Sequence, residues 1–263
     1  MAYSFCPMQC AIRKQMSGHS KWSTIKRQKG ATDAKRGKVF TKLSNAITLA
    51  VKQGGGVTDP SSNVKLRFAV DGARSANMPK DNIDRAIDRA VNKQQGDIEE
   101  IVYEGFGPGG FSVMVEAITD NKQRTTPIIK SIFDRGGGTL GTPGSVAYQF
   151  EQKGQIIVKK NGSTLDEIFL IAADSGAEDV EDVSNDTSEQ VIVYTNPSDL
   201  AKVRDKLVEK GYTIEQAELI RKPLTTIQVS DKELISKIIT FLERIEDEDD
   251  VQKVYANYDI PDS

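Results

Sequence analysis

The sequence predicts an α+β protein of three domains: an N-terminal three-helix domain with a basic arm, and two ferredoxin-like (split βαβ) domains, one inserted in the other. Three observations carry this. Apolar residues recur at helical spacing between Val39 and Val91. Residues 155–221 then read strand, helix, strand, strand, helix, strand, the order of a split βαβ unit. Strands and helices on either side of that unit, at 101–150 and 225–258, supply a second such sheet whose halves the first unit separates. The boundaries read as 1–16 a disordered extension, 17–95 the basic helical domain, 96–151 with 223–263 the discontinuous α/β domain, and 152–222 the insertion. A chain of 263 residues with 38% hydrophobic content can form more than one modest core.

The elements follow in order. Residues 17–30 are polar, basic and aperiodic, an exposed arm. Val39, Phe40, Leu43, Ala46, Ile47, Ala50 and Val51 form the stripe of an amphipathic helix that stops at Gly54-Gly55-Gly56. Val64, Leu66, Phe68 and Val70 alternate as a strand would, but Asp59-Pro60-Ser61-Ser62-Asn63 is a helix-start cluster, and a helix is expected. Pro79, Asp81 and Asp84 open a third helix with Ile83, Ala86, Ile87, Ala90 and Val91 on one face. Strands at 101–106 and 111–118 flank Gly107-Pro108-Gly109-Gly110, which suits a type II turn. A helix from about 121 to 134 and a strand near 146–150 follow. Strands at 155–160, 178–183, 190–195 and 212–219 alternate with helices at 164–175 and 197–210. A strand at 225–229, a helix at 231–245 and a strand at 251–258 close the chain.

Charge is divided along the chain. Through residue 93 there are 18 Lys and Arg against 6 Asp and Glu, a net of +12. The remainder holds 17 against 32, a net of −15, so the overall −3 conceals a basic end and an acidic one. The division suits docking of one end on nucleic acid or another anionic surface. The stretch from Met16 to Gln53 concentrates it, with Asp33 its single acid. Lys21, Lys26, Arg27, Lys29, Lys35, Arg36, Lys38 and Lys42 suit phosphate contacts, which give affinity and salt dependence without sequence information. His19 and Ser20 add a further contact and a donor, and Trp22 either stacks on a base or packs under the first helix.

Other chemistry is scarce. His19 is the only histidine and lies in the arm, so no nucleophile–base arrangement is expected, and no catalytic residue is assigned. Cys6 and Cys10 have no later Cys or His partner, which leaves neither a disulfide framework nor a zinc site and points to a reducing compartment. No run of eighteen apolar residues exists to span a membrane, and the opening fifteen residues lack the apolar core of a secretory signal. They read as an extension, or as an upstream start before Met16. Gly105 to Gly110 lacks the following Lys-Ser or Lys-Thr of a phosphate loop and reads as a hairpin. The loop Gly136 to Ser145 either approaches a ligand backbone or connects helix to strand, and connection is the expectation. Glu246-Asp247-Glu248-Asp249-Asp250 reads as a solvated turn, not a metal site. Neither metal nor cofactor is implied.

The segments MSGHSKWSTIKRQKGATDAKRGKVFTKL, ANMPKDNIDRAI, YEGFGPGG, TDNKQRT, GGTLGTPGSVAYQFEQKG and DDVQKVYANYDI resemble the YebC/PmpR family. That family includes the mitochondrial translational activator of cytochrome oxidase subunit one, and the resemblance runs from Met16 to Ile260. It implies a helical N-terminal domain with two α/β domains, and a regulator of gene expression. One implied activity is transcriptional, through DNA; the other is translational, through the ribosome and ribosomal or transfer RNA, relieving stalling. No short helix-turn-helix spacing is evident, since residues 54–62 form a long connection. A third reading, from the split βαβ sheets alone, is a protein-interaction scaffold. The expected location is the bacterial cytoplasm, with the mitochondrial matrix as the alternative, and no membrane partner is expected.

Overall fold

The computed structural model describes residues 33–91, 98–184 and 189–260, with side chains from Arg36 onward. The disordered extension, the arm and the boundary near residue 95 lie outside the described residues.

Three helices come first: α1 (Asp33–Gln53), α2 (Val64–Ser75) and α3 (Lys80–Val91). Their apolar stripes meet in a core of Ile47, Ala50, Val51, Leu66, Val70, Ala73, Met78, Ile83 and Ala86. The choice of helix over strand at 64–75 follows from Asn63, whose side chain accepts the Leu66 N–H at 3.1 Å as an N-cap. The same buried amide donates to the carbonyls of Ala50 and Val57, closing the end of α1 onto the start of α2. Gly54 is required here because a Cβ would collide with the Asn63 amide.

Two antiparallel four-stranded sheets follow. Strands β1 (Glu99–Phe106) and β2 (Ser112–Thr119) form a hairpin, and α4 (Lys122–Arg135) carries the chain to the short β3 (Thr139–Leu140) on the far side of β1. The chain then leaves this first sheet. It builds β4 (Phe150–Lys159), α5 (Leu165–Ser175), β5 (Ala177–Asp182), β6 (Gln190–Thr195), α6 (Leu200–Glu209) and β7 (Thr213–Pro223), with strand order β5-β6-β4-β7. It returns through β8 (Ile227–Gln228), α7 (Lys232–Glu246), β9 (Val251–Ala256) and β10 (Tyr258–Asp259). β9 pairs with β2 to complete the first sheet in the order β3-β1-β2-β9, while β8 and β10 pair in parallel apart from it.

Three expectations need correction. The strand at 225–229, expected to join the discontinuous sheet, is only the two-residue β8, which pairs with β10 apart from that sheet. The strand at 146–150 is instead a 3-10 turn, Ala147–Gln149, leading into β4, and β3 takes its place beside β1. The gap between the strands expected to end at 150 and to start at 155 is absent, because β4 runs unbroken from Phe150 to Lys159. Gly154 pairs with Thr195 on one side and Leu219 on the other, and it lacks a side chain because Thr195 and Leu200 fill that space.

Helices α4 and α7 cover one face of the first sheet, where Phe133 and Phe111 meet Phe241 edge-on at 5.1 and 6.3 Å between ring centroids. Burying a side chain such as Phe241 contributes roughly 2–3 kcal/mol. Helices α5 and α6 cover one face of the second sheet around Ile156, Val193 and Val203. The other faces share a third cluster, with Met114 and Tyr255 from the first sheet against Ile157, Ile192, Tyr194 and Ile220 from the second. Arg221 donates to Glu116 at 2.8 Å across this joint.

Candidate nucleic-acid interface

The Arg36 to Lys42 half of α1 is the described part of the predicted basic site. His19, Ser20, Lys21, Trp22, Lys26, Arg27 and Lys29 lie outside the described residues. Lys35 falls in α1, but its side chain also lies outside the described residues. Arg36 and Lys38 are exposed, and Lys42 is half-buried.

Lys38 and Lys42 stand four residues apart, so they share one helix face. That face meets the C-terminal end of α7. Lys38 Nζ donates to the Asp247 carbonyl at 2.9 Å and lies 3.8 Å from Asp249 Oδ1; Lys42 Nζ donates to the Glu246 carbonyl. The last carbonyls of a helix lack intrahelical donors and carry its negative dipole end, so ammonium groups are well matched there. Spacing along the sequence gave no indication of this, because the partners are more than 200 residues away.

The acidic run is therefore more than a solvated turn. Asp250 faces inward, accepting Thr125 Oγ1 at 2.6 Å and Arg124 Nη2 at 3.0 Å, and its carbonyl accepts the Ile118 N–H at 2.8 Å. These bonds fix the turn to the first sheet. Burial, with the charge of Asp249 close by, holds the Glu248 carboxyl above its ordinary range against the opposing pull of Lys38 and Lys42.

Two charged residues of α2, Arg67 and Asp71, are also engaged inside the molecule. Arg204 of α6 pairs with Asp71, and Arg67 lies 3.9 Å from Asp205. The guanidinium groups of Arg67 and Arg204 both lie within 6 Å of the Phe68 ring centre, at 5.9 and 5.8 Å. This face of α2 thus packs on the second sheet's helix layer. Neither engagement could be read from the local sequence.

The glycine-rich loop lies elsewhere, on β1. Glu104, buried in that strand, accepts the N–H groups of Gly144, Val146 and Ala147 at 2.7, 2.8 and 2.9 Å. Burial alone would raise its pKa, but these donors and the charge of Arg221 outweigh it and hold the carboxyl below its ordinary range. The loop is thus a pinned connection whose glycines allow close backbone approach: a Cβ on Gly138 would meet the Phe106 carbonyl. Among the described residues, no three His, Cys, Asp or Glu side chains are grouped to hold a metal ion, and no helix is long and apolar enough to cross a membrane.

Comparison with known proteins places this architecture. A family model described as the TACO1/YebC protein N-terminal domain matches residues 20–93, and one described as the TACO1/YebC second and third domain matches residues 98–258. The chain belongs to the TACO1/YebC family. A relative from Sulfurihydrogenibium, named a probable transcriptional regulatory protein, is 47% identical over 249 residues, covering 94% of this chain and 97% of the relative. One of the same name from Dictyoglomus turgidum is 50% identical over 250 residues, with the same coverage. Among solved structures, the conserved hypothetical protein Aq1575 of Aquifex aeolicus superposes with a TM-score of 0.83 at 41% identity. The match covers 93% of this chain and 98% of that one. This family member thus shares its fold with the Aquifex protein and most of its length with relatives named as regulators.

Proposed function

We propose that this protein is a non-enzymatic, nucleic-acid-binding regulator of gene expression, with residues 17–95 as the binding domain and the two sheet units as acidic α/β domains behind it. The observation that carries the reading is the division of charge, +12 through residue 93 and −15 beyond it. Arg36 and Lys38, exposed on the first helix, continue the row of cations that begins at Lys21. The names of the relatives support transcription as the process, and DNA is the ligand proposed to go with it.

A specific observation favours a second reading, contact with ribosomal or transfer RNA. Ten residues separate α1 from α2, and α1 lies against the end of α7, so among the described residues α1 and α2 are not joined by the short turn of a helix-turn-helix and α1 is not a free-standing helix. Binding led by phosphates needs neither. The location follows the ligand, with the bacterial cytoplasm as the first choice.

Sedimentation through a sucrose gradient at near-physiological salt, after DNase treatment, separates the two readings. Co-migration with ribosomes that is lost when Lys26, Arg27, Lys35 and Arg36 are changed to Ala marks the RNA reading. Protein that stays at the top yet shifts duplex DNA at the same salt marks the transcriptional one. With about six phosphates neutralised, log affinity falls against log salt with a slope of roughly −5 on duplex DNA. A flat salt dependence, or binding unaffected by the four substitutions, overturns the proposal and returns the protein to the scaffold class.

A further inference from the structure

The basic helix already has an anionic partner. Resting on the nucleic-acid reading above, we propose that the acidic turn Glu246–Asp250 is an intramolecular competitor for phosphate, holding Lys38 and Lys42 in the free protein until nucleic acid displaces it.

Three features carry this. The first is the chemistry of the contact. Two ammonium groups on one face of α1 meet two helix-end carbonyls and the Asp249 carboxylate, the kind of oxygen-rich anionic surface that a phosphate backbone also offers. The second is its anchoring. Asp250 is tied to Arg124 and Thr125, and its carbonyl to the Ile118 amide, so the turn is fixed and the long Lys38 and Lys42 side chains are what can swing away from it. The third is its solvation. The side chains of Lys38 and Asp249 are 51% and 69% exposed, so salt screens their attraction and it can be broken. A polyanion that releases counterions when it binds gains an advantage over such a contact.

The proposal has a consequence that phosphate binding alone does not. Removing negative charge from the turn tightens binding, although the turn touches no nucleic acid. A general loss of acidity would do the same from any position, so location is what must be tested.

The experiment uses the full-length chain, a labelled 20-nucleotide single-stranded RNA and a labelled 20-base-pair duplex DNA, with fluorescence anisotropy at several salt concentrations. Asp249→Asn with Glu248→Gln is compared with a control, Asp166→Asn with Asp174→Asn, which removes equal charge from exposed positions on α5. The turn variant is expected to bind three- to tenfold more tightly, with less than a twofold change for the control. Hydrogen exchange in the Arg36–Lys42 half of α1 is expected to quicken in the turn variant. If the wild type binds and the turn variant binds equally, or if the control improves as much, the competitor is excluded while nucleic-acid binding stands. If neither wild type nor turn variant binds either probe, both the competitor and the nucleic-acid reading fall.

Discussion

Glu104 shows how much one buried carboxylate can organise. Its three N–H donors come from a stretch of four residues, Gly144 to Ala147, that would otherwise leave backbone amides unpaired at the turn into β4. Replacement by Gln sets an NH₂ group against donors and removes the charge, so Glu104→Gln is expected to lower unfolding free energy by about 1.5–3 kcal/mol at pH 7. The sign of the pH dependence follows from the lowered pKa. Stabilisation is complete above the unfolded-state value of about 4.3 and is lost as pH falls through the lower folded value. Urea melts at pH 7 and in the acid limb check this: the difference between wild type and variant should shrink in acid. A difference that is constant with pH contradicts the charged clamp.

At the scale of elements, the helix caps and periodic stripes were legible and the partners were not. The stripe from Val39 to Val51, the Asp59–Asn63 cluster and the turn at Pro108-Gly109 each encode a local conformation, and each is observed. β3 was missed because two residues beside β1 carry no alternation to read, and the first half of β4 was missed because Glu151, Gln152, Lys153 and Gly154 offer no apolar side chain to mark a strand. The candidate site was legible only as charge. Lys38 and Lys42 appear in the sequence as free cations; their seats on α7 arise from tertiary packing, which no local pattern records. Asn63 illustrates the other limit, since its capping role was readable but its two donations to Ala50 and Val57 were not. Asn63→Ala is therefore expected to cost more than a simple cap, about 2–3 kcal/mol rather than about 1. Thermal or denaturant unfolding measures it, and a loss near 1 kcal/mol shows the two extra bonds to be dispensable.

For the whole molecule, the same contacts that join the parts also place charge. The second sheet's helix layer holds α2 through Arg204 and Asp71, and the end of α7 holds α1, so the helical unit is gripped from two directions by the acidic remainder of the chain. The route of the backbone has a further consequence, in time rather than space. Phe150 and Pro223 lie opposite one another at the ends of β4 and β7, so the second sheet draws only on residues between them. The first sheet has β1 and β2 made early but must wait for β9, more than 130 residues after β2. On a chain emerging from its N-terminus, the nested sheet can therefore close while its host is still missing a strand. Pulse-labelled hydrogen exchange during refolding should find amides of β4 and β6 protected before those of β2 that face β9. The open hairpin left waiting in that interval, with Val113, Val115 and Ala117 bare of β9, α7 and their cover, marks the moment at which a nascent chain of this family most needs protection from its neighbours.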